Sequence, residues 1–221
     1  MPYFNFGMDL IYQIALYTHI ISGGVALLSG TVAMATKKGS KNHKLAGKVF
    51  YYSMWSVIIL ALYISILKGL SFLLHVAIFA FFQNYNGFRA IKNKTLKPHV
   101  FDWFILIVAG LNAAFMICSM QPVLIAFGCI SVLLFYSQIK TYMSVLKGKE
   151  IAKLLWLNQH IGMMIGSYIA TLTAFLVVNA GVLFPSQSMT IHIIGWLSPT
   201  IILVPLLIYW QNKYTKETLK N

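Results

Sequence analysis

Residues 153–180 read KLLWLNQHIGMMIGSYIATLTAFLVVNA, and the spacing within this stretch decides the fold class. From Leu154 to Ala180 there is no lysine, arginine or carboxylate. About 20 mainly apolar residues are enough to cross a bilayer as a helix, so the stretch predicts a transmembrane helix. Positions three and four apart share a helical face. His160, Met164, Ser167 and Thr171 form one such stripe, and Gly162, Gly166, Ala170 and Ala174 form another. The second extends a GxxxG pattern, on which membrane helices approach closely. A helix with a small-residue seam on one side and a polar stripe on the other is expected to be central, with His160 facing protein.

The same criterion, carried outward, predicts seven helices, over about 9–36, 46–67, 70–92, 99–120, 122–145, 153–180 and 189–212. Lys68-Gly69, Lys97-Pro98, Gln121-Pro122 and the turn at 185–188 separate several of them. The third is the weakest, because its second half reads FFQNYNGFRAIK. The expected architecture is an all-α polytopic bundle, one transmembrane domain over residues 1–221.

Composition agrees. The chain is 59% hydrophobic and 10% charged, where a soluble domain carries about 25% charged residues. The net charge of +13 does not point to nucleic acid, because the lysines lie in short clusters between apolar runs. The first ten residues lack the basic start of a cleavable signal, so helix 1 is expected to be retained. Cys118 and Cys129 are expected to be buried small hydrophobes.

Orientation follows from the same lysines. Lys37, Lys38, Lys41, Lys44 and Lys48 crowd the first connection, Arg89, Lys92, Lys94 and Lys97 the third, and Lys140, Lys147, Lys149 and Lys153 the fifth. Lys213, Lys216 and Lys220 follow helix 7, while the second, fourth and sixth connections hold only Lys68. Basic loops stay in the cytoplasm. The expectation is a bacterial inner-membrane protein with its N-terminus outside and its C-terminus inside. Trp103, Trp156, Tyr209, Trp210 and Tyr214 then fall near cytoplasmic helix ends, as an aromatic belt would.

Function has to be sought in the intramembrane polar groups. There are six histidines and only four carboxylates, and the carboxylates fall at the edges of the apolar runs. At about 1.5 Å rise per residue, His19 is central, His75 and His192 are outer, and His43, His99 and His160 are inner. On helix 1, Tyr12, His19, Gly23, Ala26 and Gly30 share a face, open to a partner helix or a flat ligand. On helix 3, His75, Phe79, Phe82, Asn86 and Arg89 form a stripe, with Arg89 expected to snorkel to the inner interface.

Two ligand chemistries are open. Haem b takes axial imidazoles from facing helices, which makes His19, His75 and His160 the candidate ligands. Copper is the second, through His160 with Met163 and Met164. Hydrolase chemistry has no support: there is no HExxH, no GxSxG and no intramembrane carboxylate base. The alternative is a non-enzymatic carrier or accessory subunit, with histidines as interhelical hydrogen bonds or a proton-sensitive gate. The expected partner is the lipid bilayer, with a membrane-protein partner or a second copy left open.

Three segments carry a resemblance: HIISGGVALLSGTVAM with KKGSKNHKLAGKVFYYSM, NGFRAI followed by Asp102-Trp103, and WLNQHIGMMIGSYIATLTAFLVVN. Together they resemble the uncharacterised bacterial multi-pass membrane proteins of the DUF2306 type. The resemblance implies an integral membrane protein and draws attention to His19, His43, Gly47 and His160. It adds His43 to the candidate cofactor-binding positions, and it implies no activity. Lys44 stands where the resemblance leads one to expect arginine, keeping the charge and losing the bidentate fork.

Overall fold

The computed structural model describes residues 2–179 and 189–220, and every regular element among them is a helix. They are α1 (Pro2–Ala35), α2 (Lys41–Lys68), α3 (Ser71–Lys92), α4 (Val100–Cys118), α5 (Pro122–Leu146), α6 (Leu155–Val178) and α7 (Met189–Lys220). All seven expected helices are present. The expected turn at 185–188 and the side chain of His192 lie outside the described residues.

Five helices are long and apolar enough to cross a membrane: α1 from Leu10, α2, α4, α5 and α6. The protein is therefore a multi-pass membrane protein. Hydropathy misses α3 for a physical reason. Its Gln83, Asn84 and Asn86 are buried, at 3%, 0% and 2% exposure, so these amides face protein and not lipid. Helix α7 carries Pro199 and Pro205 in its interior.

Local chemistry explains the ends of α2. It begins at Lys41, five residues before the expected start, because Ser40 is extended and its Oγ accepts the His43 N–H at 3.2 Å. It stops at Gly69, whose left-handed φ of 64° lets its N–H reach the Ile66 carbonyl at 3.3 Å.

The chain divides into two compact units, Met1–Ala77 and Ile78–Asn221. In the first, α1 packs along α2. Ala15 and Ala26 are buried, and Ser22 Oγ meets Ser56 Oγ at 2.9 Å. Ile14, Tyr17, Ile21 and Leu28 cover the opposite face of α1 and are exposed, as lipid-facing residues are.

In the second unit, Phe82, Ile105, Leu106, Ala109, Tyr142 and Met163 form a core. Trp103, expected in an aromatic belt, packs edge-on to Tyr142 with ring centroids 5.5 Å apart. Helix α6 is central in this unit. Gly166 lies under the Gln83 amide of α3, and Gly162 faces Gln211 of α7. The glycine seam thus serves two neighbours. One expectation fails: Cys118 and Cys129 are free thiols and exposed. Both lie on the outer faces of apolar helices, where a small hydrophobe can meet lipid without being buried in protein.

Candidate functional site

Three of the imidazoles share one geometry. His19 Nδ1 lies 3.0 Å from the Val57 carbonyl oxygen, joining α1 to α2. His43 Nδ1 lies 2.9 Å from the Ala33 carbonyl, joining α2 back to α1. His160 Nδ1 lies 2.8 Å from the Gly87 carbonyl, joining α6 to α3. A carbonyl oxygen only accepts, so each Nδ1 carries the proton and donates it. In the neutral ring, Nε2 then keeps its lone pair. Lipid provides no such acceptor, which explains why these polar rings point at neighbouring helices.

His19 and His43 do not converge. His19 and Ala33 are 14 residues apart on α1, as are His43 and Val57 on α2, which is about 21 Å along either axis. His75 is half-buried on α3 and belongs to the first unit, while His160 belongs to the second. Among the described residues no three His, Cys, Asp or Glu side chains gather as a metal-binding group.

Packing widens the expected face of α1. Of the expected stripe, His19 bonds α2, Ala26 and Gly30 are buried and the Tyr12 ring lies under Lys68 of α2; Ala15 and Ser22 join that face, while Gly23 is half-buried at its edge. A Cβ placed on Gly23 or Gly24 would meet nothing within 4 Å. An unfilled strip of backbone therefore runs beside His19.

The second unit holds a polar cluster that sequence reasoning only partly anticipated. Arg89 was expected to snorkel. It instead forms a two-pronged pair with Asp102, Nε to Oδ1 at 3.0 Å and Nη2 to Oδ2 at 2.9 Å. Tyr85 Oη donates to Asp102 Oδ1 at 2.6 Å, and the His99 backbone N–H donates to Oδ2 at 2.7 Å. Asp102 is the only carboxylate in a salt bridge among the described residues. Four donors satisfy it, so its negative charge is held in the fold and is not available as a base. The signal was in the sequence. NGFRAI and Asp102 were singled out together, but only as a resemblance.

Beyond that pair the cluster becomes neutral. Asn86 Nδ2 donates to the Phe82 carbonyl at 2.8 Å, and Gln159 Nε2 donates to Gln138 Oε1 at 2.7 Å. At the ends of the second unit, Lys94 Nζ stands 4.7 Å from the centre of the Trp156 ring, and Gln211 Nε2 donates to the Asn158 carbonyl at 2.9 Å. The connection after α3, the start of α6 and the C-terminal part of α7 are thus at the same end of this unit.

No curated protein and no solved structure matches the chain. The family described as "Predicted membrane protein (DUF2306)" matches residues 16–127. The match takes in His19, His43, His75, Arg89 and Asp102, and it ends before α6, so His160 lies outside it. With half of its length covered, and with buried polar groups in membrane-length helices as its main feature, the chain belongs to this family of membrane proteins.

Proposed function

We propose that the protein is a non-enzymatic carrier or accessory subunit of a bacterial inner membrane, in which His19, His43 and His160 tie neighbouring helices together. The observation that carries this reading is the repeated bond from Nδ1 to a helix carbonyl at 2.8–3.0 Å. Each such bond contributes about 1 kcal/mol net, too little to drive assembly and enough to fix which helices meet. In reconstituted vesicles, His160→Gln keeps the fold and changes the pH dependence of transport where the imidazole also gates. Activity unchanged at every pH would remove the gate and leave only the tie.

The reading places all seven helices across the bilayer, with the N-terminus outside and the C-terminus in the cytoplasm. It is supported by the gathering of two basic connections at one end of the second unit, where Lys94 covers Trp156.

A second reading has its own observation. A ligating histidine usually donates its other ring N–H to a carbonyl or carboxylate, and His19 does so beside the open backbone of Gly23 and Gly24. His19, His75, His160 and His43 are the positions at which haem b, or copper, would be sought. Gently purified protein would show a Soret band that shifts on reduction. A colourless, metal-free preparation of normal stability, made with ample haem supply, would sink this reading.

A further inference from the structure

We propose that α2 carries a binding face for an anionic phospholipid, with Lys41, Lys44 and Lys48 on its phosphate and Tyr52, Trp55 and Ile59 against its acyl chains. This face is separate from the histidine ties of the first unit.

The six residues follow one another along α2 at spacings of three or four, so they share one side of the helix. It is the side opposite to the buried Ala46 and Phe50. Lys41, Lys44, Lys48, Tyr52 and Ile59 are exposed, and Trp55 is half-buried. The order along the stripe is the one an amphipathic ligand needs: three cations, then two aromatic rings, then an aliphatic side chain. Tyr51 braces the aromatic part, its ring centroid 5.1 Å from that of Tyr52 and 6.2 Å from that of Trp55, edge-on to both. At about 1.5 Å rise per residue α2 is about 42 Å long, against about 30 Å for the hydrocarbon core of a bilayer. Its first turns therefore stand at headgroup depth, with Tyr52 and Trp55 where the acyl chains begin.

Charge selects the headgroup. Lys38, in the same basic cluster, is already engaged: its Nζ donates to the Ala33 carbonyl at 3.2 Å and to that of Met34, at the end of α1. His43 donates to the Ala33 carbonyl as well. These two close the last turn of α1 and leave Lys41, Lys44 and Lys48 for another partner. Among the described residues no carboxylate pairs with any of the three. The whole chain has four carboxylates against 17 lysines and arginines, so most of the compensating charge has to come from outside the fold. Lysine binds phosphate as a point charge, and clusters of lysines beside a membrane helix attract anionic lipid. Free phosphate would use the lysines alone. The apolar side continuous with them selects a lipid.

The test uses the full-length protein in phosphatidylcholine vesicles, with a small share of the lipid brominated on its acyl chains so that it quenches a nearby indole. Brominated phosphatidylglycerol should quench the tryptophan fluorescence more than brominated phosphatidylcholine does, and Trp55→Phe should take away most of that difference. Equal quenching by the two lipids, or a difference undiminished in Trp55→Phe, overturns the proposal. In detergent, Lys44→Gln with Lys48→Gln should weaken phosphatidylglycerol binding, read by native mass spectrometry, by at least about tenfold. Lys147→Gln with Lys149→Gln removes the same charge from the connection after α5 and should leave binding unchanged. An equal loss in both pairs means diffuse attraction and overturns the proposal, as does no loss in the first. Inorganic phosphate that displaces the lipid at matched concentration would also overturn it, since the apolar half would then play no part. Should the lysine variants fail to fold, the quenching contrast decides.

Discussion

Arg89 and Asp102 meet through two parallel hydrogen bonds, Nε to Oδ1 at 3.0 Å and Nη2 to Oδ2 at 2.9 Å, across 13 residues that turn the chain from α3 into α4. Asp102 is almost fully buried and Arg89 is partly exposed. Removing one partner of a buried pair leaves an uncompensated charge, which costs more than the pair itself is worth. Asp102→Asn is therefore expected to destabilise the protein by about 3 kcal/mol. Arg89→Lys keeps the charge but loses the fork, and should cost about 1 kcal/mol. Replacing both partners, as in Arg89→Met with Asp102→Leu, should recover much of the loss. Denaturant or thermal unfolding of the four proteins gives the coupling directly. Additive losses in the double variant would show that the two groups do not act as a pair.

Tyr85 adds a third contact to the same carboxylate, its Oη 2.6 Å from Oδ1. A carboxylate only accepts, so the phenol hydroxyl is the donor in this contact. Tyr85→Phe should cost about 1.5 kcal/mol, the size of a hydrogen bond to an ionised group. The loss should shrink to about 1 kcal/mol or less in an Asp102→Asn background, where the acceptor oxygen is uncharged. An undiminished loss there would mean that the hydroxyl acts through a partner other than the Asp102 carboxylate.

Much of this was legible in the sequence, and the misses have physical causes. Helix number and type followed from apolar runs between basic clusters, because in lipid the backbone has few alternatives to a helix. The central position of α6 followed from its two stripes. Arg89 was misread because a cation near a membrane edge usually reaches water, and nothing local shows that a carboxylate 13 residues away faces it. On α1 the face through Tyr12, His19, Ala26 and Gly30 was legible, but the part of Ser22 in it was not. Periodicity gives the middle of a stripe but not its width, and the Ser56 hydroxyl extends this one to Ser22. The pairing of His19, His43 and His160 with backbone carbonyls leaves no trace in side-chain spacing at all.

Glycines give a paired prediction. A Cβ on Gly87 would lie 2.7 Å from Met164 Sδ and 3.0 Å from the Met164 backbone nitrogen. The thioether can move, but the backbone cannot without separating α3 from α6. Gly87→Ala should then cost about 2 kcal/mol and weaken the His160 bond to the Gly87 carbonyl. Gly23→Ala meets open space and should be neutral or stabilising by up to about 1 kcal/mol, from helix propensity. Thermal unfolding of the two variants checks the contrast. A destabilising Gly23→Ala would show that a ligand or another chain occupies that strip, which is what the haem reading requires.

Orientation is the remaining prediction. The lysine-rich connections after α1, α3 and α5 should be cytoplasmic, and those after α2, α4 and α6 should be outside. Cys118 and Cys129 are exposed thiols at helix positions facing the surroundings, so both are replaced by serine first. Single cysteines are then introduced at Lys38, Gly69, Lys94, Gln121 and Gly148, all in connections between described helices. A membrane-impermeant maleimide applied to intact cells should label the variants at 69 and 121. Those at 38, 94 and 148 should react only after permeabilisation. Inversion of 94, 121 and 148 together, with 38 and 69 as expected, would mean that α3 does not cross; it is the helix to suspect, since its hydropathy falls short of the other internal spans. In that case the buried amides of α3 would line a re-entrant segment closed off by protein, and the basic third connection would return to the side it started from.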